Sequence, residues 1–316
     1  MAKLKLALYW AAACGGCDVA VLDVNEKILD VAALADIVLW PVAVDFKYHH
    51  IEAMPDGNID VCLFNGAIRN SEQEEIAKLL RAKSKVMVAF GSCACFGGIP
   101  ALANFYDKEQ IWDRVYNTCD SNENHDVRPQ PHTKMPEGEI EIPVMWDTVY
   151  KLDDIVKVEY YMPGCPPTVP LILAVVNALA TNTLPPAGSI IASDKTLCDE
   201  CTRKKEEKKI TKVYRSHEII PDPERCLLEQ GLLCMGPATR GGCGALCISA
   251  NMACRGCFGP AAGVQDQGAK MLSAVASIYE TNGDEDIARM VDEIVDPAGT
   301  FYRFGMSSSL LKRKKL

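Results

Sequence analysis

The chain has 316 residues, 48% of them hydrophobic and 24% charged, with a net charge of −9. That length supports one large core or two domains of ordinary size. Its longest apolar stretches, LILAVVNALA (171–180) and VMVAF (86–90), fall short of the roughly 18 residues a membrane span needs, and the acidic balance speaks against nucleic acid.

LKLALYW (4–10) reads as a strand that runs into the loop ACGGC, followed by a helical stretch over 18–30. ADIVLWPV (35–42) and IDVCLFNGAI (59–68) read as the second and third strands, the latter ending in Asn-Gly. Ser71, with Glu74 three residues on, has the form of a capping box, and its helix runs to about Lys83. KVMVAFGSC (85–93) and VKVEYYMPGC (156–165) read as strands four and five, with a helix over 168–181 after them. Strands rich in Val, Ile and Leu, alternating with helices, imply a parallel sheet covered on both faces. The expected fold is α/β, a flavodoxin-like doubly wound sheet whose strand order stays open. Residues 104–154, with the proline- and histidine-containing HDVRPQPHTKMPEG (125–138), show no clear period and read as an excursion, either a surface insertion or a partner-binding arm.

LPPAG (184–188) marks a boundary, so the expected division is 1–187 and 188–316. Eight of the fifteen cysteines lie in 198–257, where hydrophobic periodicity is weak and metal ligation is the expected source of stability. Helix signals return over 263–294, giving a cysteine-rich second domain with few strands and some helix. The basic tail KRKK (312–315) reads as a solvated end. MAKLKLALYW runs straight into the first strand without a secretory or twin-arginine pattern, which makes the cytoplasm the expected location. In that compartment an odd number of closely spaced cysteines reads as metal or redox chemistry rather than disulfides.

Cys14 and Cys17 follow strand one, Cys93 follows strand four and Cys165 follows strand five. All four fall at the carboxyl edge of the sheet, where open α/β folds bind ligands. Thiolates drawn from three separate strand ends, amid Gly15, Gly16, Gly91, Gly97, Gly98 and Gly164, suit a bulky 4Fe–4S cluster better than zinc. Cys95 competes with Cys93 for one vertex; Cys93 is preferred as the first residue beyond the strand. In the second region Cys198, Cys201, Cys226, Cys234, Cys243, Cys247, Cys254 and Cys257 make two four-thiolate sites. Sequential and interleaved groupings are both open, and a twin zinc ribbon is the alternative. Cys62, inside a strand, reads as a packed apolar residue, and Cys119 is assigned no chemistry. His49 and His50 read as structural. Asn65 and Arg69 are candidates to line the first site or a simple turn, and TRKKEEKK (202–209) is a solvated face or an acceptor-steering patch.

CGGC after strand one, GSCACFGG, MPGCPP, CDEC with a cysteine twenty-five residues beyond it, and C-x7-CMGPAT-x3-C together resemble the small, iron–sulfur subunit of [NiFe] hydrogenases over nearly the whole chain. The character is that of the cytoplasmic methyl-viologen-reducing (coenzyme F-420-non-reducing) type of methanogenic archaea. The resemblance implies a proximal cluster at Cys14, Cys17, Cys93 and Cys165. It implies a distal cluster at Cys198, Cys201, Cys226 and Cys234, and a medial one at Cys243, Cys247, Cys254 and Cys257. It further implies an electron-relay subunit with three 4Fe–4S clusters, no zinc and no flavin on this chain. The implied partners are a large subunit bearing the nickel–iron site and an iron–sulfur acceptor leading to heterodisulfide reductase in methanogenesis. No catalytic residue lies on this chain in that reading. Many members have histidine at the first distal position, where this chain has Cys198, and proline at a medial position, where it has Cys247. A glutamate often follows the second proximal cysteine by two residues; here Asp18 and then Val19 follow, so its proton-transfer role is not carried over. The alternatives are the small subunit of a deazaflavin-reducing hydrogenase, an FMN protein, and a zinc-stabilised interaction module.

Overall fold

The computed structural model describes residues 3–124 and 127–313. Its central sheet has five parallel strands: β1 (Leu4–Trp10), β2 (Ala35–Leu39), β3 (Ile59–Asn65), β4 (Ser84–Phe90) and β5 (Tyr160–Met162), in the order β2-β1-β3-β4-β5. This is the flavodoxin-like order, with the switch between β1 and β3. Side chains alternate along each strand. Tyr9, Phe64 and Met87 pack on one face with Ile76, Ala77 and Leu80 of the helix Ser71–Lys83. Leu8, Leu63, Val88 and Phe90 pack on the other with Ala20 and Val21 of the helix Gly16–Leu22 and Ile172 and Val175 of the helix Val169–Ala180.

Several boundaries differ from the sequence reading. The helix expected over 18–30 is two helices, Gly16–Leu22 and Ile28–Leu34, joined by a short 3-10 turn at Asn25–Lys27, and the second leads directly into β2. The expected second strand ends at Leu39, three residues early. The fifth pairs only over Tyr160–Met162 of the expected 156–165, because it extends β4 at the sheet edge along three residues. The cap of the helix Ser71–Lys83 is Asn70, whose side chain accepts the Gln73 amide at 2.9 Å; Ser71 Oγ instead accepts the Val144 N–H at 3.0 Å.

The 104–154 excursion is structured. It holds a short helix (Lys108–Trp112), a hairpin (His132–Met135 with Gly138–Glu141), and a strand, Met145–Tyr150, that pairs antiparallel with Ile68–Asn70. Residues 125 and 126, at the start of its proline-containing stretch, lie outside the described residues, as do 314 and 315 of the basic tail. After β5, the described residues form no further ladder of strands, only isolated bridges and helices, including Gln267–Ile278 and Asp284–Glu293. Leu197, Leu227, Met235, Ile248, Met271 and Phe301 make a core of their own.

Candidate metal centres and their neighbourhood

The carboxyl ends of β1, β4 and β5 meet as the sequence requires. Gly91 N–H donates to Met162 O at 2.8 Å and Ser92 N–H to Gly164 O at 2.7 Å, so the loops after β4 and β5 are tied together. Cys93 sits in the short helix Ser92–Phe96, close to Cys165 and Cys14. Burial pushes the Cys93 thiol up to about 12, and the charges of Cys165 and Cys14 push the same way. Burial raises Cys17 further still, with Cys93, Cys165, Asp18 and Cys14 adding to it. Cys95 takes a different course: it is buried, its Sγ donates to Ala89 O at 3.2 Å, and it packs in the sheet core. Close approach explains two glycines here. A Cβ on Gly91 (φ +86°) would stand 2.3 Å from Cys17 Sγ, and one on Gly98 (φ +59°) 2.5 Å from Cys93 Sγ.

Asp18 is buried beside this group, held by Trp40 Nε1 and Asn65 Nδ2, both at 2.8 Å. Asn65 thus lies near the first thiol group, as one sequence reading allowed. Arg69 does not: its charged neighbours are Asp147 of the excursion and Arg313. His49 and His50 lie in the helix Tyr48–Glu52 with ring centroids 4.1 Å apart.

Cys243, Cys247, Cys254 and Cys257 line one cavity of about 530 Å³, together with Cys165, Pro166 and Ala20 of the first region. Cys198, Cys201, Cys226 and Cys234 line a second, narrow cavity of about 30 Å³, together with Arg203 and Lys205. Each of these two cavities is thus lined by the four second-region thiols of one sequential set, the first by Cys165 as well. Among the described residues no three His, Cys, Asp or Glu side chains stand close enough to clasp one metal ion; the thiols ring spaces instead. Burial pushes Cys257 up to about 12, and the backbone amide of Cys165 pulls against it. Cys198 is pushed up to about 12 by burial while the Lys205 charge opposes the rise. Cys254 stands well above its ordinary value through burial, with Cys234 adding to the rise.

The three groups are joined in series. Ser92, beside Cys93, donates its hydroxyl to the Cys257 carbonyl. Met235, beside Cys234, donates its amide to the Cys254 carbonyl at 3.0 Å. Sequence reasoning missed Ser92 and Gln267, whose amide binds Thr239 Oγ1 and the Gly256 and Gly259 carbonyls, and it placed Arg203 on the solvated face 202–209, whereas that side chain is buried.

The family model described as "NADH ubiquinone oxidoreductase, 20 Kd subunit" matches residues 14–179. The iron-sulfur subunit of the F420-non-reducing hydrogenase of Archaeoglobus profundus is 41% identical over 98% of both chains. The chain belongs to this hydrogenase subunit family. The corresponding subunit of the F420-non-reducing hydrogenase of Methanothermobacter thermautotrophicus is 36% identical over 99% of this chain and 97% of that one. Among solved structures, an NAD+-reducing [NiFe]-hydrogenase in the H2-reduced state matches with a TM-score of 0.50 and 28% identity, covering 58% of this chain and 94% of the other. The F420-non-reducing hydrogenase type was the sequence expectation, and the chain is a subunit of a hydrogenase. None of the described helices is long and apolar enough to cross a membrane.

Proposed function

We propose that this chain is the electron-relay subunit of a [NiFe] hydrogenase, receiving electrons from H2 oxidation on a large partner subunit and delivering them to an acceptor protein that feeds heterodisulfide reductase. The observation that carries this reading is the serial linkage of the three thiol groups, through Ser92 to Cys257 and through Met235 to Cys254. The donor sets fit 4Fe–4S clusters: four thiols in each group, glycines where a Cβ would meet the sulfurs, no histidine lining either cavity of the second region, and Asp23 the one carboxylate lining the larger of the two. A cluster at each site carries one electron at a time and supplies the redox chemistry that no side chain here has.

The chain's own residues do the rest. Cys14, Cys17, Cys93 and Cys165 hold the proximal site at the carboxyl edge of the sheet. Cys243, Cys247, Cys254 and Cys257 hold the medial site, and Cys198, Cys201, Cys226 and Cys234 the distal one. The tied loops fix the distance between neighbouring sites, so that no diffusion is needed between them. Residues 1–187 and 188–316 act as two domains in this reading, the first carrying the proximal site. The large subunit docks on the apolar surface around that site, where Trp10, Val19, Leu22 and Ile99 are exposed. The complex works in the cytoplasm, and no flavin or zinc is needed on this chain.

A Cys198→Ala/Cys226→Ala double variant in the anaerobically purified complex is the test. The electron paramagnetic resonance spectrum of the reduced protein should lose the distal signal and keep the other two. Loss of two signals at once would contradict the sequential grouping.

A further inference from the structure

Two arginines of the second region are nearly inaccessible, and they are treated differently. Arg240 is 7% exposed and pairs with the Asp194 carboxylate at 2.8 Å. Arg203 is 8% exposed, yet no carboxylate among the described residues pairs with it. Its guanidinium donates to four neutral acceptors: the Asp222, Arg225 and Ile248 carbonyls at 2.8, 3.0 and 3.0 Å, and Asn251 Oδ1 at 2.7 Å. The nearby acids are engaged elsewhere. Asp222 Oδ1 accepts the Glu224 amide, Glu224 pairs with Lys204, and Glu206 pairs with Lys208 and Arg225. A guanidinium withdrawn from water without a counter-charge is costly, and carbonyl dipoles offset only part of that cost.

The missing counter-charge has one place to be. Arg203 forms part of the wall of the cavity ringed by Cys198, Cys201, Cys226 and Cys234. Lys205 lines the same cavity, its Nζ 3.3 Å from the Cys198 carbonyl. Four thiolates around an iron–sulfur core leave that site net negative, and one charge more negative after it accepts an electron. The proximal group has the opposite neighbour, the buried carboxylate of Asp18.

We infer that Arg203, assisted by Lys205, sets the reduction potential of the distal site, its fixed positive charge favouring the state with the extra electron and making this site the exit of the relay. The inference rests on the relay reading above. One electron arrives from the medial side and one leaves to the external acceptor; no bond is made or broken. The sign follows from electrostatics: a cation held near a site that gains negative charge raises its potential, and the effect is large where water is excluded.

The test is a redox titration followed by electron paramagnetic resonance on the anaerobically purified hydrogenase complex, with iron counted in the same samples. Arg203→Gln should keep its iron and move the distal signal to more negative potential, leaving the other two in place. Arg203→Lys, which retains the charge, should stay close to the wild type. An Arg203→Gln complex with full iron and an unmoved distal signal would overturn the assignment and leave Arg203 as a hydrogen-bonding strut. Should Arg203→Gln fail to hold the distal iron, Lys205→Gln decides, because the Lys205 side chain is exposed and its loss removes charge without packing. A negative shift there supports the assignment, and no shift overturns it. A wild-type complex that never shows a third signal removes the relay reading itself, an outcome visible before any variant is made.

Discussion

Gly98 shows how tightly single residues constrain the proximal site. It has a left-handed φ of +59°, and a Cβ there would lie 2.5 Å from Cys93 Sγ and 2.7 Å from Cys93 Cα. One of those neighbours is backbone, so the clash is not relieved by a side-chain rotation. Gly98→Ala should therefore displace the Cys93 thiol and cost about a third of the iron, one cluster of three, read by iron analysis of the anaerobic protein. Cys95→Ser should leave the iron content unchanged, because that thiol is bonded to Ala89 O and packed in the core. The sequence reading preferred Cys93 over Cys95 as the first residue beyond an expected strand; the strand ends at Phe90, and Cys93 lies in the short helix that follows. The partnering of Asp18 with Trp40 and Asn65 was not legible: the three residues stand on different elements, and no local pattern marks a buried carboxylate.

Among the secondary elements, capping was legible in kind and misread by one residue. Asn70 and Ser71 are both good capping types, and the choice was made by the excursion, whose Val144 amide takes the Ser71 hydroxyl. Asn70→Ala should destabilise the protein by about 1 kcal/mol, the usual worth of a cap, seen as a lower urea midpoint. Ser71→Ala should cost less, because it removes one hydrogen bond at an exposed strand end. The strands of the sheet centre were readable because β1, β3 and β4 are continuous apolar runs buried on both faces. β5 was overlong in the reading because Val156 and Val158 alternate with Lys157 and Glu159 ahead of the three residues that pair, which looks like a strand in sequence. The helix expected over 18–30 breaks at Asn25, which takes a left-handed φ of +53°, a conformation asparagine tolerates and hydrophobic periodicity does not mark.

For the molecule as a whole, the second region is fastened to the first at several points. Ser92 holds the Cys257 carbonyl, a Cβ on Gly259 would meet the Phe96 ring at 2.3 Å, and Asn104 of the excursion bonds Ser307 Oγ at 3.4 Å. This contact brings Cys165 to the wall of the medial cavity. The sequence marked the cysteines and their order, but the packing that puts Cys165 beside Cys257 depends on residues more than ninety positions apart. Spacing alone also left sequential and interleaved grouping open; the two cavities, each lined by one sequential set of four thiols, support the sequential proposal. The apolar surface beside the proximal site supplies a prediction at this scale. Val19 is 55% and Leu22 53% exposed on the helix Gly16–Leu22. A Val19→Glu/Leu22→Glu double variant should fold but lose the large subunit on affinity purification, roughly tenfold or more, since charged residues at the centre of an interface are strongly disfavoured. Unchanged recovery would move the docking face elsewhere.

The most direct test of the relay is a count of iron, acid-labile sulfide and zinc per chain in protein purified without exposure to air. Twelve thiols in three sets predict roughly twelve iron and roughly twelve sulfide with almost no zinc. About one or two zinc per chain with little iron would contradict the relay and leave the cysteine-rich region as a structural knuckle.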